Sequence, residues 1–201
     1  SRIVYLEVQE ETVTVTMLRN GELDMTGVTP EQFNKLRADA SITSRANPYQ
    51  FQSMLGGYTY VAWNQERGGK KTAFADKRVR RAMTMLLDRE RLAKEMWYGY
   101  ATVATGPFAS KGIQSDPEVK PWPYDPEQAK ALLKEAGFED RDKDGVLEDA
   151  AGTAMRFEFM YPAGSALSER MALFIKDQLA RGGVMLELKA TDWPTMVERL
   201  K

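Results

Sequence analysis

Apolar residues recur along this chain with two periods, and the switch from one to the other marks its elements. Alternation with β-branched and aromatic residues over "RIVYLEV", Arg2–Val8, predicts a strand, and "GELDMTGV", Gly21–Val28, predicts another. A further extended stretch is expected at Ser41–Tyr49. "YTYVAWN", Tyr58–Asn64, preceded by Gly56 and Gly57, is the clearest strand signal of the first half. In the second half "MRFEFMY" places Met155, Phe157 and Phe159 on one face, and "VMLELKA" turns Val184, Leu186 and Leu188 inward.

The helical period appears between these runs. A polar helix is expected around Glu11–Leu18. In "TPEQFNKL" Thr29 is the N-cap, Pro30 sits at the first helical position, and Gln32 completes a capping box. Asp76 caps a helix whose Val79, Ala82, Met83, Leu86 and Leu87 form one stripe, and Asp88 starts a second that ends at Gly99. "DPEQAKALLKEAG" repeats the grammar: Asp125 caps, Pro126 and Gln128 follow, Ala129, Leu132, Leu133 and Ala136 form the stripe, and Gly137 stops it. Ser165 or Ser168 opens a long helix carrying Leu167, Met171, Phe174, Ile175 and Leu179, ended by Gly182 and Gly183. A last helix begins in "TDWPTMVERLK". "ATGPFASKG" and "DPEVKPWPY" are loops by their Pro and Gly content. Strand, helix and strand joined by Gly-Gly predict a βαβ unit or a split version of one. The expected class is α/β, a mixed β-sheet flanked by helices.

Composition narrows the chemistry. The 201 residues suffice for one sizeable core or two small ones. A formal net charge of −1 speaks against nucleic acid as the main partner. No apolar run approaches the roughly 18 residues of a membrane-spanning helix. No signal peptide is evident and the chain opens at Ser1, so it reads as a mature protein or an excised piece of one. There is no cysteine, hence no disulfide and no thiolate site. There is no histidine either, which excludes the usual serine triads, zinc hydrolase sites and iron facial triads. Any catalysis would fall to carboxylates, Lys, Arg or Tyr. Glu66–Arg81 carries seven Lys/Arg against two Asp/Glu, whereas Ile113–Ala151 carries eleven acids against five bases. Since Lys77, Arg78, Arg80 and Arg81 open an amphipathic helix, structural ion pairing is the better reading of the basic run.

The acidic run contains "EDRDKDGVLED", in which Asp140, Asp142, Asp144 and Gly145 begin like an EF-hand loop. Val146 and Leu147 suit the following positions, but Ala151 stands at position 12, where a bidentate carboxylate is needed. A turn and a strand follow, not an exiting helix. Glu148 or Asp149 could close a looser site. The expectation is a polar turn with no metal, Asp140, Asp142 and Asp144 being the candidates if a cation binds.

The motifs in order resemble one family: "YTYVAWN", "FADKRVRRAMTMLLDRERL", "GYATVATGPF", "YDPEQAKALLKEAGF", "DKDGVLED", "MRFEFMYP", "IKDQLARGGVMLEL" and "TDW". They are similar to the family 5 extracellular solute-binding proteins, the dipeptide- and oligopeptide-binding components of bacterial ABC importers. "GELDMTGVTPEQFNKL" extends the likeness over nearly the whole chain. The resemblance implies one lobe of a two-lobed periplasmic binding protein of type II, cluster C-like, with residues 1–201 as a C-terminal lobe fragment. It implies a non-enzymatic protein without cofactor, at the periplasmic or extracellular face of the membrane with or without a lipid anchor. Its partners would be a peptide or similar small solute, the missing N-terminal lobe and a membrane ABC permease.

The resemblance also nominates residues. Tyr161 and Ser165 stand where the strand runs through "PAGSALSER" into a helix, a junction that reaches the ligand in the family. Some members have a base there; this chain has none before Arg170. Ser165 can equally cap the helix. Trp193 matches a tryptophan near the pocket, with a core or interlobe aromatic as the alternative. Tyr60, Trp63 and Asn64 lie beside the presumed hinge, and Gly106 and Pro107 shape a cleft-facing loop. Arg78, Arg80, Asp88 and Arg89 read as structural. The family's acid that pairs with a peptide amino terminus would lie beyond Lys201. The competing functions are a carboxylate-based hydrolase of glycosidase type, with two acids across a cleft, and a calcium-dependent interaction module.

Overall fold

A computed structural model describes residues 2–8, 11–51, 57–110 and 112–199 of the chain. They fall into two compact units, Ser1–Ser53 and Met54–Lys201.

The first unit is helical. Helix α1 spans Glu11–Asn20, α2 Pro30–Leu36 and α3 Ala40–Thr43. The capping box at α2 forms as the sequence predicts: Thr29 Oγ1 accepts from Gln32 N, and the Gln32 side chain accepts from Thr29 N at 3.0 Å. Asp39 ties the unit together. Its carboxylate caps α3 through Ser41 N at 2.9 Å and pairs with Arg19 of α1 at 3.0 Å. The predicted strands at Arg2–Val8 and Gly21–Val28 do not form, and Ser41–Tyr49 starts as the end of α3 before becoming irregular. Residues 2–8 are unpaired, with Ile3 and Tyr5 exposed. β-propensity records fit to a pleated, half-buried surface, and none of the described residues offers these segments a ladder.

The second unit holds the α/β architecture. Hairpin strands β1 (Glu66–Arg67) and β2 (Lys70–Lys71) precede a 3-10 turn, Ala73–Ala75. Helices α4 (Lys77–Met85), α5 (Arg89–Trp97) and α6 (Pro126–Glu135) follow, then strand β3 (Arg156–Pro162), helix α7 (Ala166–Ala180), strand β4 (Met185–Thr191) and helix α8 (Trp193–Arg199). β3 and β4 pair in parallel from Arg156↔Met185 to Pro162↔Thr191, so β3–α7–β4 is the expected βαβ unit. Tyr58–Asn64 forms no ladder among the described residues; the first one begins at Glu66. The strand pattern there reflects burial instead. Val61 and Trp63 pack on the core, with Trp63 stacked on Phe74 at 4.7 Å and Phe74 tilted against Phe157 of β3 at 4.6 Å.

The core joins the stripes. Val79, Ala82, Met83, Leu86 and Leu87 meet Ala129 and Leu133 of α6, Met155 before β3, Ile175 and Leu179 of α7, and Val184 and Leu186 around β4. Helices α4 and α6 run antiparallel, and polar bonds fix both ends: Asp125 N donates to Met85 O at 2.9 Å, and Arg78 Nη1 to Glu135 O at 2.8 Å. The second bond puts a cation on the C-terminal carbonyls of α6, where the dipole favours it. Arg80 donates to the Phe74 and Ala75 carbonyls, and Arg81 lies over the Trp122 ring at 4.5 Å.

At the end of α7, Gly183 adopts φ 80, Val184 N donates to Leu179 O at 3.1 Å, and Gly183 N donates to Ala180 O at 3.0 Å. This left-handed closure directs the chain into β4. A Cβ on Gly183 would stand 2.7 Å from Leu147 Cγ. Gly183→Ala is therefore expected to lower stability by about 1–3 kcal/mol in urea denaturation. Met83→Ala, emptying a site that is 0% exposed, should cost about 2–5 kcal/mol.

Candidate functional site

Parallel strands end on the same side, and in open α/β sheets ligands bind in the crevice beyond their carboxyl ends. Here those ends are Tyr161–Pro162 and Ala190–Thr191, directly opposite in register. Ala163 N donates to Thr191 O at 2.9 Å, which holds the two exit loops together. From one exit loop Ser165 opens α7. Its Oγ accepts from Ser168 N at 3.2 Å, so Ser165 is the cap and Ser168 is not. From the other, Asp192 accepts from Thr195 N at 3.0 Å and starts α8, leaving Trp193 64% exposed at its first position. Among the described residues nothing buries this ring, which fits a pocket or an interlobe position alike. Tyr161, Ser165 and Trp193 thus share one end of the parallel pair, where α7 presents free backbone N–H groups and the positive end of its dipole.

The other nominated residues separate from this group. Trp63 is half-buried and engaged with Phe74, a packing role. Asn64 organises the entry to the hairpin: its Oδ1 accepts from Glu66 N at 3.2 Å, and its carbonyl accepts from the Thr72 hydroxyl. Tyr60 is 67% exposed, its ring 5.5 Å from that of Tyr58. Gly106 and Pro107 lie in an exposed bend at 105–108.

Sequence reading missed the residues that brace the strand ends. Glu158 on β3 accepts from Lys189 of β4 at 3.3 Å and from Arg199 of α8 at 2.8 Å, fastening α8 back onto the sheet. Its position opposite Glu187 in register gave no hint of this. Asp192 was legible, since Asp with Pro two residues on is a helix-start pattern.

The acidic loop is a hairpin. Glu139 bridges Glu148, and Glu148 bridges Ala154, both antiparallel. Asp140 accepts from Gly145 N, Asp142 from Asp144 N, and Asp144 from Val146 N, the self-capping expected of a polar turn. Arg141 N donates to the buried Glu148 carboxylate at 2.9 Å, and the Arg141 guanidinium bridges the Glu148 and Asp149 carbonyls. Carboxylate oxygens of Asp140, Asp142, Asp144 and Glu148 lie within 4.8 Å of one another, the group best placed to face a hard cation. Glu148 stands at the ninth position counted from Asp140 and is on hand for the closing role Ala151 cannot fill.

The carboxylates bracing these loops are held below their ordinary range. For Asp149 the chief cause is the Thr153 N–H, for Glu158 the hydrogen bond from Lys189, and for Asp192 the Thr195 N–H. At the N-cap of α4, Asp76 is lowered chiefly by the hydrogen-bonded Arg78 guanidinium.

The family model for the bacterial extracellular solute-binding proteins, family 5 (middle), matches residues 1–201. The chain is 27% identical to the oligopeptide-binding protein AppA of Bacillus subtilis, over 98% of this chain and 35% of that protein. It is 30% identical to the di/tripeptide-binding protein 2 of Pseudomonas aeruginosa, over 86% of this chain and 29% of that protein. The solved structure of AppA with a nonapeptide superposes with a TM-score of 0.76 at 25% identity, covering 96% of this chain and 36% of that one. A periplasmic oligopeptide-binding protein from Thermotoga maritima gives 0.76 at 25% identity, covering 97% and 37%. The chain spans about a third of the length of these relatives. Among the described residues, no helix is long and apolar enough to cross a membrane.

A carboxylate lowered in the folded state contributes stability that is complete above its unfolded pKa and is lost as pH falls through the folded one. Thermal melts should therefore fall as pH drops below about 4. Glu158→Gln, which removes one such group, should flatten that fall and speed hydrogen exchange in α8 at neutral pH.

Proposed function

The chain belongs to the family 5 bacterial extracellular solute-binding proteins, and we propose that it forms one wall of a solute cleft that the rest of the full-length protein closes. The observation that carries this is the convergence of Tyr161, Ser165 and Trp193 at the carboxyl ends of a parallel strand pair. An exposed indole, a tyrosine at the strand end and free N–H groups at the start of α7 suit an extended polar solute with apolar side chains. Each can be covered by the solute without a conformational change in the core.

Di- and oligopeptides are the proposed solute class, supported by what the related proteins are named for binding. Tyr60, Gly106 and Pro107 are proposed as secondary contacts, with Trp63 and Asn64 holding the segment that leads to them. The role is delivery and not catalysis: a solute held at the strand ends is handed to a membrane ABC permease outside the cytoplasm, by a protein that is free or lipid-anchored. The hydrolase and calcium-module alternatives are not favoured. The clustered acids serve one turn, and the match covers the chain with solute-binding proteins.

A cleft with two walls gives weak binding when one is absent, because closure is what buries the solute. Calorimetry with mixed di- to pentapeptides should show no saturable heat for this chain alone and saturable binding for the full-length protein. In the latter, Trp193→Ala should weaken binding by about tenfold or more, the loss of a buried aromatic anchor. Tight binding by the chain alone, or full-length binding indifferent to Trp193, would overturn the reading.

A further inference from the structure

The basic run at 66–81 divides in two. Arg78, Arg80 and Arg81 are engaged by the fold around α4. Arg67, Lys70, Lys71 and Lys77 are exposed and make no ion pair or side-chain hydrogen bond among the described residues. Three of them sit on the β1–β2 hairpin, whose strands are two residues each and wholly exposed. Its turn, Gly68–Gly69 at φ 56 and 74, carries no side chain at all. Arg67 stands directly opposite Lys70 in register, a like-charge pairing that disfavours the ladder, and only Glu66 opposite Lys71 offsets it. The hairpin buries nothing, so its charge does not serve the core.

Beside Lys71, the chain leaving the hairpin and the end of α6 border a shallow, open depression lined by Thr72, Ala73, Ala75, Asp76, Ala136 and Phe138. Its one carboxylate, Asp76, is occupied by the Arg78 guanidinium at 2.6 Å and by Arg78 N at 2.8 Å. The depression therefore carries apolar atoms and, among the described residues, one unpaired cation, Lys71, with Arg67 and Lys70 further out on the same hairpin. It shares no lining residue with the strand-end site.

We propose that this depression and hairpin dock an acidic segment of a partner protein. Its carboxylates face Arg67, Lys70 and Lys71, and an aliphatic side chain rests on Phe138. Charge complementarity selects the sign of the partner. The hairpin selects its class: residues 66–71 offer no apolar side chain to enter a bilayer, whereas the exposed apolar atoms lie in the depression beside it, within reach of a peptide side chain. Lysines, which are compact hydrated charges, fit a run of acids better than a single bidentate carboxylate.

The test is fluorescence anisotropy with a labelled, end-capped hexapeptide of alternating glutamate and leucine, and its lysine–leucine counterpart as control. The chain should bind the acidic peptide saturably at low salt and progressively less as salt rises. The triple variant Arg67→Glu, Lys70→Glu, Lys71→Glu should bind about tenfold more weakly or worse, with an unchanged melting curve, since none of the three packs on the core. Glu66→Lys should bind more tightly. Equal binding of both peptides, or acidic-peptide binding unmoved by either set of changes, would overturn the proposal. So would association with phosphatidylglycerol vesicles in the absence of peptide binding, which would make the surface a lipid contact.

Discussion

Two parallel strands cannot be joined by a tight turn; the chain must cross the sheet before it can pair again. In this protein α7 makes the crossing, and everything else in the second unit is arranged to give it a dry face to cross over. Ile175 and Leu179 of α7 meet the α4 stripe and Leu133 of α6, with Met155, Val184 and Leu186 supplying the sheet side. That stripe is continuous only because α4 and α6 are locked antiparallel at both ends, by Asp125 to Met85 and by Arg78 to Glu135. The glycine closure at Gly182–Gly183 then feeds β4 into register beside β3.

This constraint delivers the site. Once β3 and β4 run parallel and level, their ends lie side by side. The next residues of each strand must leave the sheet, and each does so by capping a helix, with Ser165 for α7 and Asp192 for α8. Trp193, the residue after the Asp192 cap, stays exposed at the start of α8. Glu158, reaching both Lys189 and Arg199, keeps α8 against β3 so that the indole has a fixed location. Polar residues brace the loops while the apolar core sets the strand ends.

How much of this was legible depended on whether an element's signal was local. The caps at Thr29, Asp76, Asp88 and Asp125 appear where the sequence places them, and the structure selects Ser165 over Ser168 for α7, because a cap is decided by a side chain and N–H groups two or three residues on. The stripes on α4 and α6 were legible for the same reason. Strands were less so. β3 and β4 pair because each has the other, whereas Arg2–Val8 and Tyr58–Asn64, rich in β-branched and aromatic residues, and the weaker Gly21–Val28 have no ladder among the described residues. Ser165 and Trp193 were nominated through motif likeness alone; the structure adds that both follow the ends of the parallel strands. Glu158 was invisible, because its two cationic partners come from 31 and 41 residues away. The basic run was half legible. Of the four α4 cations expected to ion-pair, only Arg78 does so among the described residues, with Asp76; Arg80 bonds carbonyls, Arg81 lies over Trp122, Lys77 is exposed, and the hairpin cations belong to no helix.

The central claim is that a solute lies beyond the carboxyl ends of β3 and β4. The most direct measurement is a crystal structure of the full-length protein with a bound peptide. The account predicts peptide atoms within about 4 Å of the Trp193 ring and of the start of α7, with the strand pair unmoved. A peptide held elsewhere, with Tyr161, Ser165 and Trp193 facing bulk water, would contradict it.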